Sequence, residues 1–230
     1  LEFRRVLFRS TEGLNMPGLE PHAFALLLGF GAPLMKFTGL EAALVNLVGT
    51  SGTGKSSMQR WINSIYGDPR KLAQSHEDTD NAKFLKAAIF ANLPVTIDEI
   101  TNIDAERVSS VVYRITQGRD KARLSRSGTE RASPGEWNTL LISSSNESLL
   151  HRLTDAKANP EAEAMRLFEY WMPSTDAFRG NWGKKVAKVL RNNYGVVGDT
   201  YSRYLVKNNH RIEADIAKLY DKRARTVNLS

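Results

Sequence analysis

The sequence predicts an α/β fold, a parallel sheet flanked by helices, and three observations predict it. First, short apolar runs with no alternation read as strands buried on both faces: Leu44, Val45, Leu47 and Val48, then Val95-Thr96-Ile97, then Trp137 to Ser143. Second, the segments between them switch to helical period. Met58, Trp61, Ile62 and Ile65 lie at i, i+3, i+4 and i+7, and Val108, Val111, Val112 and Ile115 repeat the pattern. Third, no internal repeat interrupts this alternation, which excludes a solenoid and leaves helical crossovers between parallel strands.

Each element has local reasons. The opening LEFRRVLFRS has no period, and Arg-Val-Leu-Phe-Arg-Ser resembles a translated sequencing adapter, so residues 1–10 are set aside as a non-native leader. On that reading the natural upstream part is missing; a genuine disordered arm is the alternative. Pro21 can start a helix through Ala23–Met35, broken by Gly29 and Gly31. Gly67 caps the helix after the first strand, and Pro69 follows it. The polar stretch Gln74 to Asp80 leads into a helix over Asn81–Ala91, and Asp104 caps the helix carrying Val108. Gly118 to Gly135 is basic and rich in turn residues. The last 50 residues read as helices with Gly195 and Gly198 as breaks, which divides the chain into a core over 11–175 and a helical segment over 176–230.

Composition narrows the chemistry. At 230 residues, 41% hydrophobic and 25% charged, the chain can bury a full core. With no cysteine there is no disulfide or thiolate metal site, and four scattered histidines lack ligand spacing. The apolar run Ala23 to Met35 is too short to span a bilayer, and with no signal peptide in view the expected location is cytoplasmic, without membrane contact. The net charge of +7 favours polyanionic partners; removing the leader, with three arginines against one glutamate, lowers it to +5.

Chemistry concentrates where the first strand ends. Gly49-Thr50-Ser51-Gly52-Thr53-Gly54-Lys55-Ser56 matches G-x4-G-K-[ST] at every fixed position, with Ser57 following. Such a P-loop, or Walker A loop, cradles the phosphates of ATP with backbone N–H groups, aided by the positive end of the next helix. Lys55 reaches the β- and γ-phosphates, and the Ser56 hydroxyl is a Mg²⁺ ligand. Asp98 ends the second strand 43 residues after Lys55, one full crossover on, where it would hold Mg²⁺ through water as the Walker B acid. Glu99 beside it suits a general base on the attacking water. Asn146, after the third strand, suits a contact to the γ-phosphate or that water. Arg166 could stabilise transition-state charge on a neighbouring subunit's ATP, with Arg152 as rival, or could simply pair with Glu163 or Glu169 on a helix surface. Lys121, Arg123 and Arg126 sit in a basic segment that suits either a hairpin gripping phosphates or a solvated loop.

From about Ala43 to Leu205, the stretches GTSGTGKSS, LPVTIDEITNID, ITQGRDKARLSRSG, WNTLLISSSNESL, AMRLFEYW and NYGVVGDTYSRYL together resemble a family of P-loop ATPase domains of phage, plasmid and mobile-element proteins. Those domains often lie downstream of a primase. The resemblance implies an α/β P-loop NTPase related to the superfamily 3 and AAA+ groups. It implies a replicative helicase or translocase that works on DNA as a homo-oligomeric ring, expected to be hexameric. It further implies Arg166 as the ring's arginine finger, and Lys121, Arg123 and Arg126 as a DNA-facing hairpin. Two alternatives stay open: a nucleotide-switched DNA-binding or loading module without unwinding, and a small-molecule kinase. The kinase is disfavoured by Glu99 and by the lack of an arginine-rich lid after the P-loop helix.

Overall fold

The computed structural model describes residues 14–15, 17–75, 77–100, 104–119, 135–156, 160–176 and 182–227, so the expected leader over 1–10 lies outside it. The predicted α/β architecture is present. Among the described residues five strands, β1 (Ala42–Val48), β2 (Gln74–Ser75), β3 (Val95–Asp98), β4 (Thr139–Ser145) and β5 (Leu167–Trp171), pair in parallel in the order β2-β3-β4-β1-β5. The longer helices are α1 (Glu20–Gly31, continued by a 3-10 helix Ala32–Phe37), α2 (Lys55–Tyr66), α4 (Asp80–Phe90), α5 (Ala105–Thr116) and α6 (Leu149–Ala156). Single turns α3 (Pro69–Leu72) and α7 (Glu161–Ala164) lie between them, and α8 (Trp182–Leu190), α9 (Val196–Lys207) and α10 (Asn209–Val227) follow the sheet.

Pleating separates two cores. Leu44, Val95, Ile97, Leu141 and Leu167 face one side and pack under α4, α5 and α6, with Phe84, Val112, Trp137 and Leu153. Leu47 and Ile142 face the other, against Met58, Ile62 and Ile65 of α2, with Leu26 and Phe30 of α1 and Tyr201 of α9. The helical faces read from the sequence are therefore the buried ones. Asp104 caps α5 as expected, accepting from the Arg107 amide at 2.8 Å. The last turn of α1 leaves carbonyls without helical partners. Tyr66 Oη donates to the Gly29 carbonyl at 2.9 Å and Tyr201 Oη to that of Phe30 at 2.7 Å, which ties α1 to α2 and α9.

Several boundaries differ from expectation. The third apolar strand, expected to stop at Ser143, runs through Ser145, because its serines find hydrogen-bond partners inside the sheet. Two strands were not expected. β2 is two residues long, and β5 is an edge strand whose Phe168 and Trp171 are exposed. Gly195 does break the chain, with φ of 82°, but Gly198 lies inside α9. Its role there is close approach, since a Cβ would meet the Ile65 carbonyl oxygen of α2 at 2.4 Å.

Candidate nucleotide-binding site

The sheet order places β4 between the strand that enters the P-loop and the strand that ends in Asp98. In a parallel sheet all these carboxyl ends open on one edge, so Gly49, Asp98-Glu99 and Asn146 converge there. Gly52 and Gly54 hold φ of 86° and 89°, a left-handed backbone that other residues rarely adopt and that lets the loop fold onto its own helix start. Beneath it, buried His22 of α1 bonds through Nε2 to the Thr53 carbonyl at 2.7 Å. A histidine 31 residues upstream carries no motif, so nothing in the residue order announces this contact.

Lys55 is buried and donates through Nζ to the carbonyls of Gly49 and Thr50 and to Asn146 Oδ1, the last at 3.1 Å. Burial pulls its pKa below the usual lysine value, opposed by the charges of Glu99 and Asp98. Ser56 Oγ donates to Asp98 Oδ1 at 2.9 Å, leaving the hydroxyl lone pairs free to face a cation. Asn146 Nδ2 reaches Glu99 Oε1 at 3.4 Å. The expected residues Lys55, Ser56, Asp98, Glu99 and Asn146 thus meet in one constellation.

Glu99 is one of two non-glycine residues with positive φ among the described residues, at 52°. A left-handed backbone costs an ordinary L-residue about 1–2 kcal/mol. It is held by two bonds to β4: the Glu99 amide donates to Ser144 Oγ at 3.0 Å, and the Ile100 amide to the Ser144 carbonyl at 2.8 Å.

A cleft of about 880 Å³ opens over this edge, lined by the P-loop, Glu99 and Asn146 on one side and by α8 on the other. Lys184, Lys188 and Arg191 line it from α8 and the residue after it, with Arg60 from α2. The three cations at and after α8 carried no motif, because the last 50 residues showed only helical character; the i, i+4 spacing of Lys184 and Lys188 was the available signal. Hard oxygen donors at Ser56 and Asp98 fit Mg²⁺. Among the described residues no group of three histidine, cysteine or carboxylate side chains could hold a metal ion.

Two expectations fall elsewhere. Arg166 immediately precedes β5, and its carbonyl accepts from the Leu44 amide at the opposite end of β1 from Gly49. That is about 16 Å along the strand from the P-loop, at about 3.3 Å per residue. Its guanidinium lies over the Tyr113 ring, 5.3 Å from the centroid. The alternative pairing with Glu169 does not form: Glu169 sits in β5, accepting from Asn46 Nδ2 at 3.1 Å and from the Leu149 amide at 2.7 Å. Arg152 is half-buried in α6, just after Asn146. Lys121, Arg123 and Arg126 lie outside the described residues; the flanks of that segment meet in an antiparallel bridge between Arg119 and Glu136. Among the described residues no helix is long and apolar enough to cross a membrane.

A family described as "Domain of unknown function (DUF927)" matches residues 21–134. No curated protein matches the chain. Among solved structures, "SCCmec type IV Cch - active helicase" superimposes with a TM-score of 0.69 at 22% identity, over 91% of this chain and 38% of that one. The likeness shows a shared fold, and this chain spans well under half of the Cch helicase chain. JCV helicase aligns at a TM-score of 0.48 and 6% identity over 96% of this chain and 62% of that one, too low to bear on chemistry.

Proposed function

We propose that this chain is the ATP-hydrolysing motor domain of a nucleic-acid helicase or translocase. The observation that carries the reading is the convergence of Lys55, the Ser56–Asp98 pair and the Glu99–Asn146 pair on one sheet edge. A phosphate cradle alone would say only that a nucleotide binds. A carboxylate beside the cradle, held by β4 and touching a strand-end amide, supplies a base for water.

In this reading the loop amides and Lys55 hold the β- and γ-phosphates, and the cations of α8 neutralise the triphosphate from the opposite wall. Ser56 and Asp98 would hold Mg²⁺, whose bound charge offsets the negative charge gathering on the phosphate oxygens. Glu99 takes the proton of the attacking water, and Asn146 fixes the Glu99 carboxylate relative to Lys55. Arg166, turned away from its own P-loop, would serve a neighbour's nucleotide in a ring of copies. The helicase fold shared with Cch and the positive net charge support nucleic acid as the track. The mobile-element setting, the upstream primase, the hexamer, the boundary at 175 and the hairpin roles of Lys121, Arg123 and Arg126 belong to this proposal through the family resemblance.

The test is the ATPase rate of the purified oligomer with and without single-stranded and forked DNA, alongside strand displacement. Stimulated hydrolysis with displacement is expected. Hydrolysis indifferent to every nucleic acid would sink the motor reading, and stimulated hydrolysis without displacement would favour the loading module.

A further inference from the structure

The serine run at the end of β4 divides its labour by pleat. Ser143 and Ser145 point to the α4–α6 side, where Ser143 Oγ donates to Asn46 Oδ1 at 2.9 Å and Ser145 Oγ accepts from Asn46 Nδ2 at 2.8 Å. Ser144 points the other way, toward α2. The pairing of Ile97 with Ser143 sets it beside Asp98.

Only 1% exposed, the Ser144 hydroxyl makes two bonds in opposite senses. It donates to Asp98 Oδ1 at 2.9 Å, the oxygen that also accepts from Ser56, and it accepts from the Glu99 amide at 3.0 Å. A serine hydroxyl has one proton and two lone pairs, so both bonds can form together and fix its rotor. One side chain therefore orients the metal-facing carboxylate and anchors the left-handed turn that aims Glu99.

We infer that Ser144 is the positioning residue that locks Asp98 and Glu99 into one rigid unit, so that metal affinity and the placement of the hydrolytic carboxylate are set together. This rests on the ATPase reading above. Both bonds of the buried Ser144 hydroxyl go to Asp98 and Glu99, so it acts through these two neighbours. A group that orients a metal-binding side chain commonly alters metal affinity by about tenfold to a hundredfold when removed.

The experiment compares full-length wild type, Ser144→Ala and Ser144→Thr, with folding checked by circular dichroism. Affinity for a fluorescent ATP analogue is measured with Mg²⁺ and in EDTA, and amide exchange is followed at Glu99. Ser144→Ala should lose about tenfold or more of the Mg²⁺-dependent gain in affinity, keep its affinity in EDTA, and expose the Glu99 amide to exchange. Ser144→Thr, which keeps the hydroxyl, should restore both. Unchanged metal linkage and exchange in Ser144→Ala would overturn the assignment, as would a Thr variant as impaired as the Ala one. If Ser144→Ala does not fold, the wild type decides. Its Glu99 amide should exchange more slowly with Mg²⁺ and nucleotide than with nucleotide in EDTA, and equal rates would overturn the inference. None of these readouts needs turnover. A wild type that binds Mg²⁺-nucleotide and never hydrolyses it defeats the ATPase reading while leaving Ser144 decided.

Discussion

Lys55 Nζ donates to Asn146 Oδ1 at 3.1 Å, so the cation at the start of α2 and the amide at the end of β4 are one unit. Asn146 in turn reaches Glu99, and the proposed phosphate-binding and water-activating halves of the site meet through it. Residues in direct contact couple by about 0.5–3 kcal/mol. In a double-mutant cycle on ATP-analogue affinity, Lys55→Ala and Asn146→Ala should therefore be non-additive, with Lys55→Ala the more damaging. Strict additivity would show that the contact carries no energy when nucleotide is bound.

Glu99→Gln should separate binding from chemistry. Glutamine keeps the size and one acceptor oxygen for Asn146 Nδ2, so the cleft should still take ATP. It cannot accept a proton, and loss of a general base costs about 10²–10⁴ in rate. Steady-state hydrolysis and equilibrium nucleotide affinity check both halves. Hydrolysis retained near the wild-type rate would remove Glu99 from the role of base.

What could be read from residue order was whatever lies within one motif or one period. The P-loop, the apolar runs of β1 and β3, and the buried faces of α2 and α5 are local patterns, and each is in place. The assembled site is legible to the same extent, because strand ends in a parallel sheet must share an edge. What escaped depends on long-range pairing. β5 was hidden because Glu169 interrupts its apolar residues and looked like a helix-surface charge. The polar Asn46 within β1 and the serine run of β4 satisfy each other across about a hundred residues of chain, which no local pattern announces. The cations of α8 reach the cleft through the packing of α8 on α2.

His22 predicts a pH dependence. Burial lowers its pKa from the ordinary 6.5, opposed by its bond to Thr53, so the folded protein favours the neutral ring. Below that ordinary value the unfolded chain binds a proton that the folded chain resists. The stability from neutral His22 is thus fully present above about pH 6.5 and is lost as pH falls toward the lower folded value. Urea unfolding of wild type and His22→Gln between neutral and mildly acidic pH measures this. The wild type should lose stability relative to the variant as pH falls, and parallel curves would mean that His22 does not titrate within the fold.

Glu169 should matter to stability more than its place on an edge strand suggests. Its Oε1 accepts from Asn46 Nδ2 at 3.1 Å, from the Leu149 amide at 2.7 Å and from the Leu150 amide at 3.4 Å, while Oε2 accepts from Ser148 Oγ. The two amides open α6, where no helical carbonyl can serve them, so one carboxylate caps that helix and ties it to β1. Glu169→Ala leaves those partly buried donors unpaired, at a cost of about 1–3 kcal/mol. Glu169→Gln keeps one acceptor and should lose less. Phe168→Ala, at a neighbouring position 56% exposed to solvent, is the control and should stay within about 0.5 kcal/mol of wild type. Denaturant midpoints at constant m-value provide the comparison. A Glu169→Ala protein as stable as the control would mean that Asn46 and the start of α6 find other partners.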